Sequence, residues 1–557
     1  MVALLCTFSL PAHSFGAEPA PDKADKEYFE IVKSIDLLGE VYREVSKNYV
    51  DTINPTEFMY AGIDGMLRTL DPYTVFLDEE DAGELEEQTN GQYVGVGITI
   101  AAVDGVFFVT SVTEGHSAAQ AGIKVGDHIV AINSKELAKP THDEVRAQMK
   151  GKVGTSMTLQ LERQGSPSFT VTLVREEVRV NTVSYSSIID GVGYIEMKSF
   201  GTHSATELRE AFQALAQQAG ERHQPLKGMI LDLRNNPGGL LNAAVDVSSL
   251  FINQGSEVVS IRGRTPEMAK SYRTENQPLD AQVPLVLLIN SQSASAAEIV
   301  SGAIQDLDRG VILGERSFGK GLVQSVVRIS YDTSVKLTIA KYYTPSGRLI
   351  QKEMKPSGSS RKVVPKANGE NASPLFSTKA GRKVYGGGGI TPDIELSETA
   401  TSPYLAQLRH KGMLFLFSND YCATNSSKPS FSRDHTFLMA LFNDFLQNKK
   451  FLYTSEAERR FNEMKEGMKK SDSELSDSRR KSVELMQQEI EAMKAQEIER
   501  ESSTVAKALE VEILRHYDDR LARKAELDTD PTVKRAVELL SDSTKYSAIL
   551  HPATPVN

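Results

Sequence analysis

Two cysteines, Cys6 and Cys422, are all that 557 residues carry, and Cys6 falls in a segment that reads as a removable leader, so no internal disulfide framework is expected. The ten histidines are scattered, with no HExxH and no ligand spacing, which leaves no metal site to argue for. Basic clusters are missing too. At a net charge of −11 the chain lacks the concentrated Lys and Arg that phosphate binding requires, which argues against nucleic acid as a partner. No phosphate-cradling glycine loop occurs, and no cofactor is expected. Nor is any run long enough to span a membrane. What remains is 40% hydrophobic, enough to bury several cores, and the length suggests about three or four domains.

The first seventeen residues, MVALLCTFSLPAHSFGA, are an apolar run followed by small residues. They are too short to cross a bilayer as a helix and read as the core and cleavage end of a secretory signal peptide. The positive start of such a peptide is missing, because no Lys or Arg precedes Lys23. Lipid attachment at Cys6 is disfavoured by the large Leu5 before it. The expectation is an exported protein of the periplasm or cell envelope of a bacterium.

Chemistry concentrates around two residues. Ser295, in SQSASAAEIV, follows the apolar strand-like run Pro284–Asn290 and precedes the Ala-rich helical run Ala296–Asp306, at a strand-to-helix junction. Lys320, in SFGKGLVQ, sits in a glycine-bracketed turn beyond the strand-like Val311–Gly314 and can swing back to that junction. Together they spell a nucleophile and its base. Ser295 and Glu298 also spell a capping box, and a lysine between glycines is also an ordinary solvated turn. A serine attacks only after a base takes its proton, and lysine is a base only when neutral. Working near neutrality needs a downward shift of roughly 3 units from the ordinary value, so Lys320 must be buried when active. The oxyanion formed on attack needs two N–H donors. Ala296 at the helix start supplies one, and the turn in Asp232–Gly239 (DLRNNPGG) brings bare backbone at Gly238 or Gly239 for the other.

The runs SASAAE, QDLDRG and SFGKGLVQ resemble the active-site signature of the C-terminal processing peptidases, also called tail-specific proteases. The resemblance implies Ser295 as nucleophile, Lys320 as general base and Gln324, one helical turn past the lysine, as the group orienting its amine. It puts Glu298 and Asp306 at positions where relatives hold carboxylates near the dyad. DLRNNPGG borders the active site in that family, without settling which glycine donates. LDPYTVFLDEED, KLTIAKYYTPSGRLIQ and GGGGITPDIEL also fit the family.

Upstream, Glu84–Leu173 resembles a bacterial PDZ domain, most specifically in AGIKVGDHIVAIN. A helix opens with the capping box Thr141–Glu144, and two strands alternate apolar and polar around a turn at Gln164–Ser168. PDZ domains hold an extended peptide on a sheet edge and catch its carboxylate with backbone N–H groups. The loop Tyr93, Val94, Gly95, Val96, Gly97 is the expected carboxylate site, although GVGI also reads as a buried strand with a glycine bulge.

The resulting division is a signal-peptide remnant (1–17), an amino-terminal helical region (26–83), a PDZ domain (84–177), a peptidase core (178–400) and a helical tail (401–557). The fold class is multidomain α/β: a ββα, crotonase-like core with an inserted PDZ domain. The amino-terminal helices carry an apolar stripe, Ile31, Ile35, Leu38, Val41 and Tyr42. Lys352–Ala380 reads as a surface loop. Val483, Met486, Ile490 and Met493 are spaced by threes and fours in the tail, which reads as an amphipathic helical domain packed on the core or on a second subunit. The expected partners are protein or peptide substrates with free apolar C-termini, with a homo-oligomer or an adaptor left open. The expected activity is a serine endopeptidase that selects substrates by their tails, and the alternative is a PDZ scaffold with an inactive core.

Overall fold

The computed structural model of the protein describes residues 23–138, 140–353, 374–397, 401–425, 427–429, 431, 435–470 and 477–551. The leader reading and most of the Lys352–Ala380 stretch lie outside these residues. The remainder of that stretch is not all loop, since Leu375–Ser377 pairs antiparallel with Lys383–Tyr385. The chain divides into two compact units.

One unit joins the segment up to Leu77 to residues 326–337. Its helices are Lys23–Asn48 and Pro55–Leu67, the second opened by Asn54, whose side chain accepts the N–H groups of Thr56 and Glu57. Asp71 then caps a turn through Tyr73 and Thr74, and Val75–Leu77 pairs with Ser334–Lys336. The stripe of Ile31, Ile35, Leu38 and Val41 does form on a helix, but all four side chains are exposed.

The second unit contains three layers of interest. Its PDZ-type sheet runs Ile98–Val103, Val106–Val112, His128–Ile132, Ser156–Glu162, Phe169–Val174, all antiparallel. Met157, Leu159 and Leu161 point inward in strict alternation, as the period of a half-buried strand requires. Both halves of the Thr141–Glu144 capping box are made. YVGVGITI is not one strand: Gln92–Gly95 pairs with Glu176–Arg179, the chain breaks at Val96–Gly97, and Ile98–Val103 starts the sheet as an edge strand.

The central sheet has the order Val183–Ile189, Val192–Met197, Met229–Asp232, Leu285–Ile289, Val311–Gly314, Ile394–Glu395. Its first pair is antiparallel and the rest are parallel, so the hairpin and the helix Ser204–Glu221 form the expected ββα unit. Parallel strands of this kind are apolar on both faces. Leu231, Leu287 and Ile312 face the helices Ser204–Glu221, Leu241–Ser249 and Ala296–Asp306. Ile230, Val286 and Leu313 face the other way, onto Val533, Val537 and Leu540 of the helix Pro531–Leu540. The end of the tail therefore supplies the second helical layer of the core. The tail's own core gathers Leu408, Phe417, Phe442 and Leu509 around the second half of the helix Asp477–Tyr517. Met486 and Met493, expected on its apolar seam, are exposed instead.

Candidate active site

Ser295 closes the turn between the strand Leu285–Ile289 and the helix Ala296–Asp306. Its backbone has φ 54° and ψ −113°, a conformation costing on the order of 1–3 kcal/mol for a residue with a side chain. Such a bend at a strand-to-helix turn presents a hydroxyl outward. The bend is held by neighbours: Ser293 Oγ donates to Leu233 O at 2.8 Å, and Ala294 N–H donates to Asn236 O at 3.0 Å.

Glu298 is fully buried and ties the whole site together. Its Oε2 accepts the N–H of Ser295 at 2.8 Å and that of Lys320 at 2.9 Å. Its Oε1 accepts the Ser317 hydroxyl at 2.6 Å and the Gly319 N–H at 2.8 Å. The backbones of the two singled-out residues thus share one oxygen atom. Burial pushes this carboxyl up to about 7, with the four donors pulling the other way. The Tyr342 hydroxyl lies within hydrogen-bonding reach of the Ser295 carbonyl, at 3.2 Å, and of the Lys320 carbonyl. The Tyr342 hydroxyl thus meets two main-chain carbonyls, which leave no signature in the sequence, while the Ser317 hydroxyl meets the Glu298 carboxyl.

Lys320 is half-buried, and its Nζ donates to Gln324 Oε1 at 3.0 Å. The helical turn expected between them is absent: Leu322–Arg328 is a strand, and the contact forms because Lys320 precedes that strand in the loop after Gly319. Asp306 is not near this cluster. It lies at the far end of the helix from Ser295, about 16 Å along the axis at 1.5 Å per residue. There it pairs with the fully buried Arg348 at 2.7 Å. The resemblance to the family implies a carboxylate near the dyad at this position, and the length of the helix carries Asp306 away from Ser295.

The two glycines separate on geometry. The Gly238 N–H donates to Asn236 Oδ1 at 2.9 Å, which takes it out of the donor pair. Gly238 matters for space: at φ 99°, a Cβ there would sit 2.8 Å from Ser295 Cβ and 2.9 Å from the Ala296 nitrogen. The N–H groups of Gly239 and Ala296 have no hydrogen-bond partner among the described residues. Asn236 also donates to Met197 O at 2.9 Å, so one side chain shapes the turn from inside.

At the PDZ-type sheet, Tyr93, Val94 and Gly95 lie in a paired strand rather than in a loop. Only Val96 and Gly97 form the break, with Gly97 at φ 80°. Their carbonyls are taken by Ala118 N–H at 3.0 Å and Thr113 N–H at 2.8 Å. Among the described residues no cluster of His, Cys, Asp and Glu could hold a metal ion, and no helix is long and apolar enough to cross a membrane.

With this geometry in hand, comparison with known proteins gives matches along most of the chain. The model of Peptidase family S41 matches residues 191–358, and the PDZ domain model matches 84–162. Residues 404–540 match the helical domain described as "Probable PDZ-protease, C-terminal helical domain", and 13–81 match the Activating protease CtpB N-terminal domain. A Carboxy-terminal-processing protease of Bartonella bacilliformis is 36% identical over 57% of this chain and 73% of its own length. Carboxy-terminal processing protease CtpA of Bacillus subtilis is 33% identical over 57% of this chain and 67% of its own. CtpB of the same organism is 29% identical over 60% and 69%. With the S41 and PDZ models lying on the two sheets described above and a relative at 36% identity covered over 73% of its length, this chain is a member of the carboxy-terminal processing proteases of peptidase family S41.

Proposed function

We propose that the protein is a serine endopeptidase that holds the C-terminal tail of a protein substrate on its PDZ domain and cuts near it with Ser295 and Lys320. The observation that carries this reading is the single buried carboxylate of Glu298, which holds the main chains of both residues at one oxygen. Preorganisation of that kind is what a nucleophile and base require.

In the proposed cycle neutral Lys320 takes the Ser295 Oγ proton as the oxygen attacks the scissile carbonyl. The oxyanion is received by the N–H groups of Ala296 and Gly239. The tetrahedral intermediate then expels the amine, which leaves with the proton carried by Lys320. Water, deprotonated by the now neutral Lys320, attacks the acyl-enzyme, and the second tetrahedral intermediate breaks to the new carboxyl terminus as Ser295 Oγ takes the proton back from Lys320. Gln324 orients the Lys320 Nζ, and a bound chain covering the half-buried lysine completes the desolvation its neutral form needs.

The tail adds to the open edge of Ile98–Val103, with its carboxylate at the Val96–Gly97 break. Tethering raises the local concentration of the held chain at the peptidase core. We also propose export to the bacterial cell envelope, from the leader at the start of the chain.

The test compares wild type with Ser295→Ala on a reporter ending in small apolar residues. Cleavage by wild type and binding without products by Ser295→Ala is the expected result. Turnover by Ser295→Ala, or binding without turnover by wild type, would overturn it, the second in favour of a scaffold.

A further inference from the structure

The helical tail does more than cover the sheet. Its Asp530 caps the helix Pro531–Leu540 with Oδ1, which accepts the N–H of Thr532 at 2.8 Å and of Val533 at 3.1 Å. Its other oxygen, Oδ2, accepts Arg234 Nη2 at 2.8 Å. Arg234 is the arginine of DLRNNPGG, is only 11% exposed, and grips Asp232 with both Nε and Nη2, at 3.0 and 2.6 Å. Asp232 in turn accepts the Tyr194 hydroxyl at 2.7 Å, and Arg523, again from the tail, reaches Tyr194 Oη at 3.2 Å and Glu196 at 2.5 Å. The strand end that launches the glycine turn is therefore held between two tail residues, Arg523 and Asp530.

From Arg234 the turn is short. Asn235 takes a left-handed φ of 58° and exchanges hydrogen bonds with Asn290, and Asn236 fixes Gly238 against Ser295. Gly239, whose N–H has no partner among the described residues, comes next. Every link between Arg234 and that N–H is a short stretch of constrained backbone, so a shift of the guanidinium is passed on to the donor.

We propose that Asp530, from the C-terminal helical domain, is a positioning residue for the peptidase reaction: it holds Arg234, and through Arg234 the turn that offers the Gly239 N–H to the oxyanion. This rests on the Ser295 reading above. It gives the tail a catalytic purpose, acting through another residue rather than touching substrate.

Asp530→Asn in the full chain is the direct test, because asparagine still caps the helix while removing the charge that faces Arg234. The expected result is a roughly 10- to 100-fold loss in kcat, the size of effect produced by a misplacement of about 1 Å, with KM and PDZ-peptide binding within about twofold. Affinity for a peptide boronate, whose adduct with Ser295 places an oxygen in the oxyanion position, should fall by a similar factor. Arg234→Lys enters from the peptidase side and leaves the tail's helix cap intact. The double variant should lose little beyond the larger single loss, since both remove one interaction.

Wild-type kcat in Asp530→Asn overturns the proposal. So does a kcat loss without the boronate loss, which marks a global effect, and so does a fully additive double variant. Ser295→Ala is assayed alongside. If it turns over substrate, the underlying reading fails; if it is inactive while Asp530→Asn is wild-type, only the positioning role fails.

Discussion

Glu298→Gln is the smallest change that strains the site most. It preserves shape and volume but turns one oxygen into an NH2 group. Each oxygen of Glu298 faces two donors: Ser317 and Gly319 on Oε1, Ser295 and Lys320 on Oε2. Whichever way the amide turns, a donor meets donors. Pointing the NH2 toward Ser317 and Gly319 costs less, because a hydroxyl can rotate to accept, although Ser317 Oγ already accepts the Ile390 N–H at 2.6 Å. The Gly319 N–H is then left unpaired in a buried site, at about 1–3 kcal/mol. The other orientation strands both the Ser295 and Lys320 N–H groups and costs roughly twice that. Either displaces the lysine loop relative to the serine, and a shift approaching 1 Å lowers kcat by about 100-fold. Kinetics on a tagged reporter, read with urea unfolding, separate the two effects: kcat and stability fall while KM holds. A variant with wild-type kcat would refute the claim that this carboxylate organises the site.

Lys320→Arg should be as inactive as Lys320→Ala, because guanidinium does not lose its proton at working pH; turnover by Lys320→Arg would count against a lysine base. Gly97→Ala adds a Cβ at φ 80° and 2.6 Å from His116 Cβ, so tagged-substrate KM should rise tenfold or more, about 1.4 kcal/mol, while a small serine-directed probe still labels Ser295. The raised Glu298 carboxyl means that the folded chain binds more protons than the unfolded one between the ordinary value of 4.5 and about 7. Its contribution is therefore full below that window and is lost as pH rises through it, on the order of 3 kcal/mol. Urea titrations of wild type against Glu298→Gln across this range should show the difference, and parallel pH profiles would contradict it.

How far the sequence could be read depended on whether a property was local. The strand, helix start and glycine-bracketed loop that carry Ser295 and Lys320 each leave a short pattern, but each pattern also spells an ordinary cap or turn, and only the match to a family signature singles the pair out; the alternation of Met157, Leu159 and Leu161 marks a half-buried strand. Gln324 enters through the family resemblance; the spacing of four suggests a helical turn, whereas the contact with Lys320 forms where the loop after Gly319 meets a strand. Asp306 is expected near the dyad only through the family resemblance, and the rise of the helix Ala296–Asp306 separates it from Ser295. The choice between Gly238 and Gly239 rested on which N–H Asn236 had already taken, a matter of φ and side-chain direction. Asp530, 296 residues from Arg234, belongs to no motif at all. Its position follows from the tail folding back over the second face of the sheet, which the apolar run Ile230 and Val286 permits but does not announce.

The central claim is that Lys320 activates Ser295, and the most direct measurement is the pH dependence of Ser295 acylation by a small serine-directed probe, followed by mass spectrometry in wild type and Lys320→Ala. The wild-type rate should climb with a pKa well below the ordinary lysine value of about 10.4, and this limb should vanish with the lysine. Equal rates and identical profiles in the two proteins would contradict it.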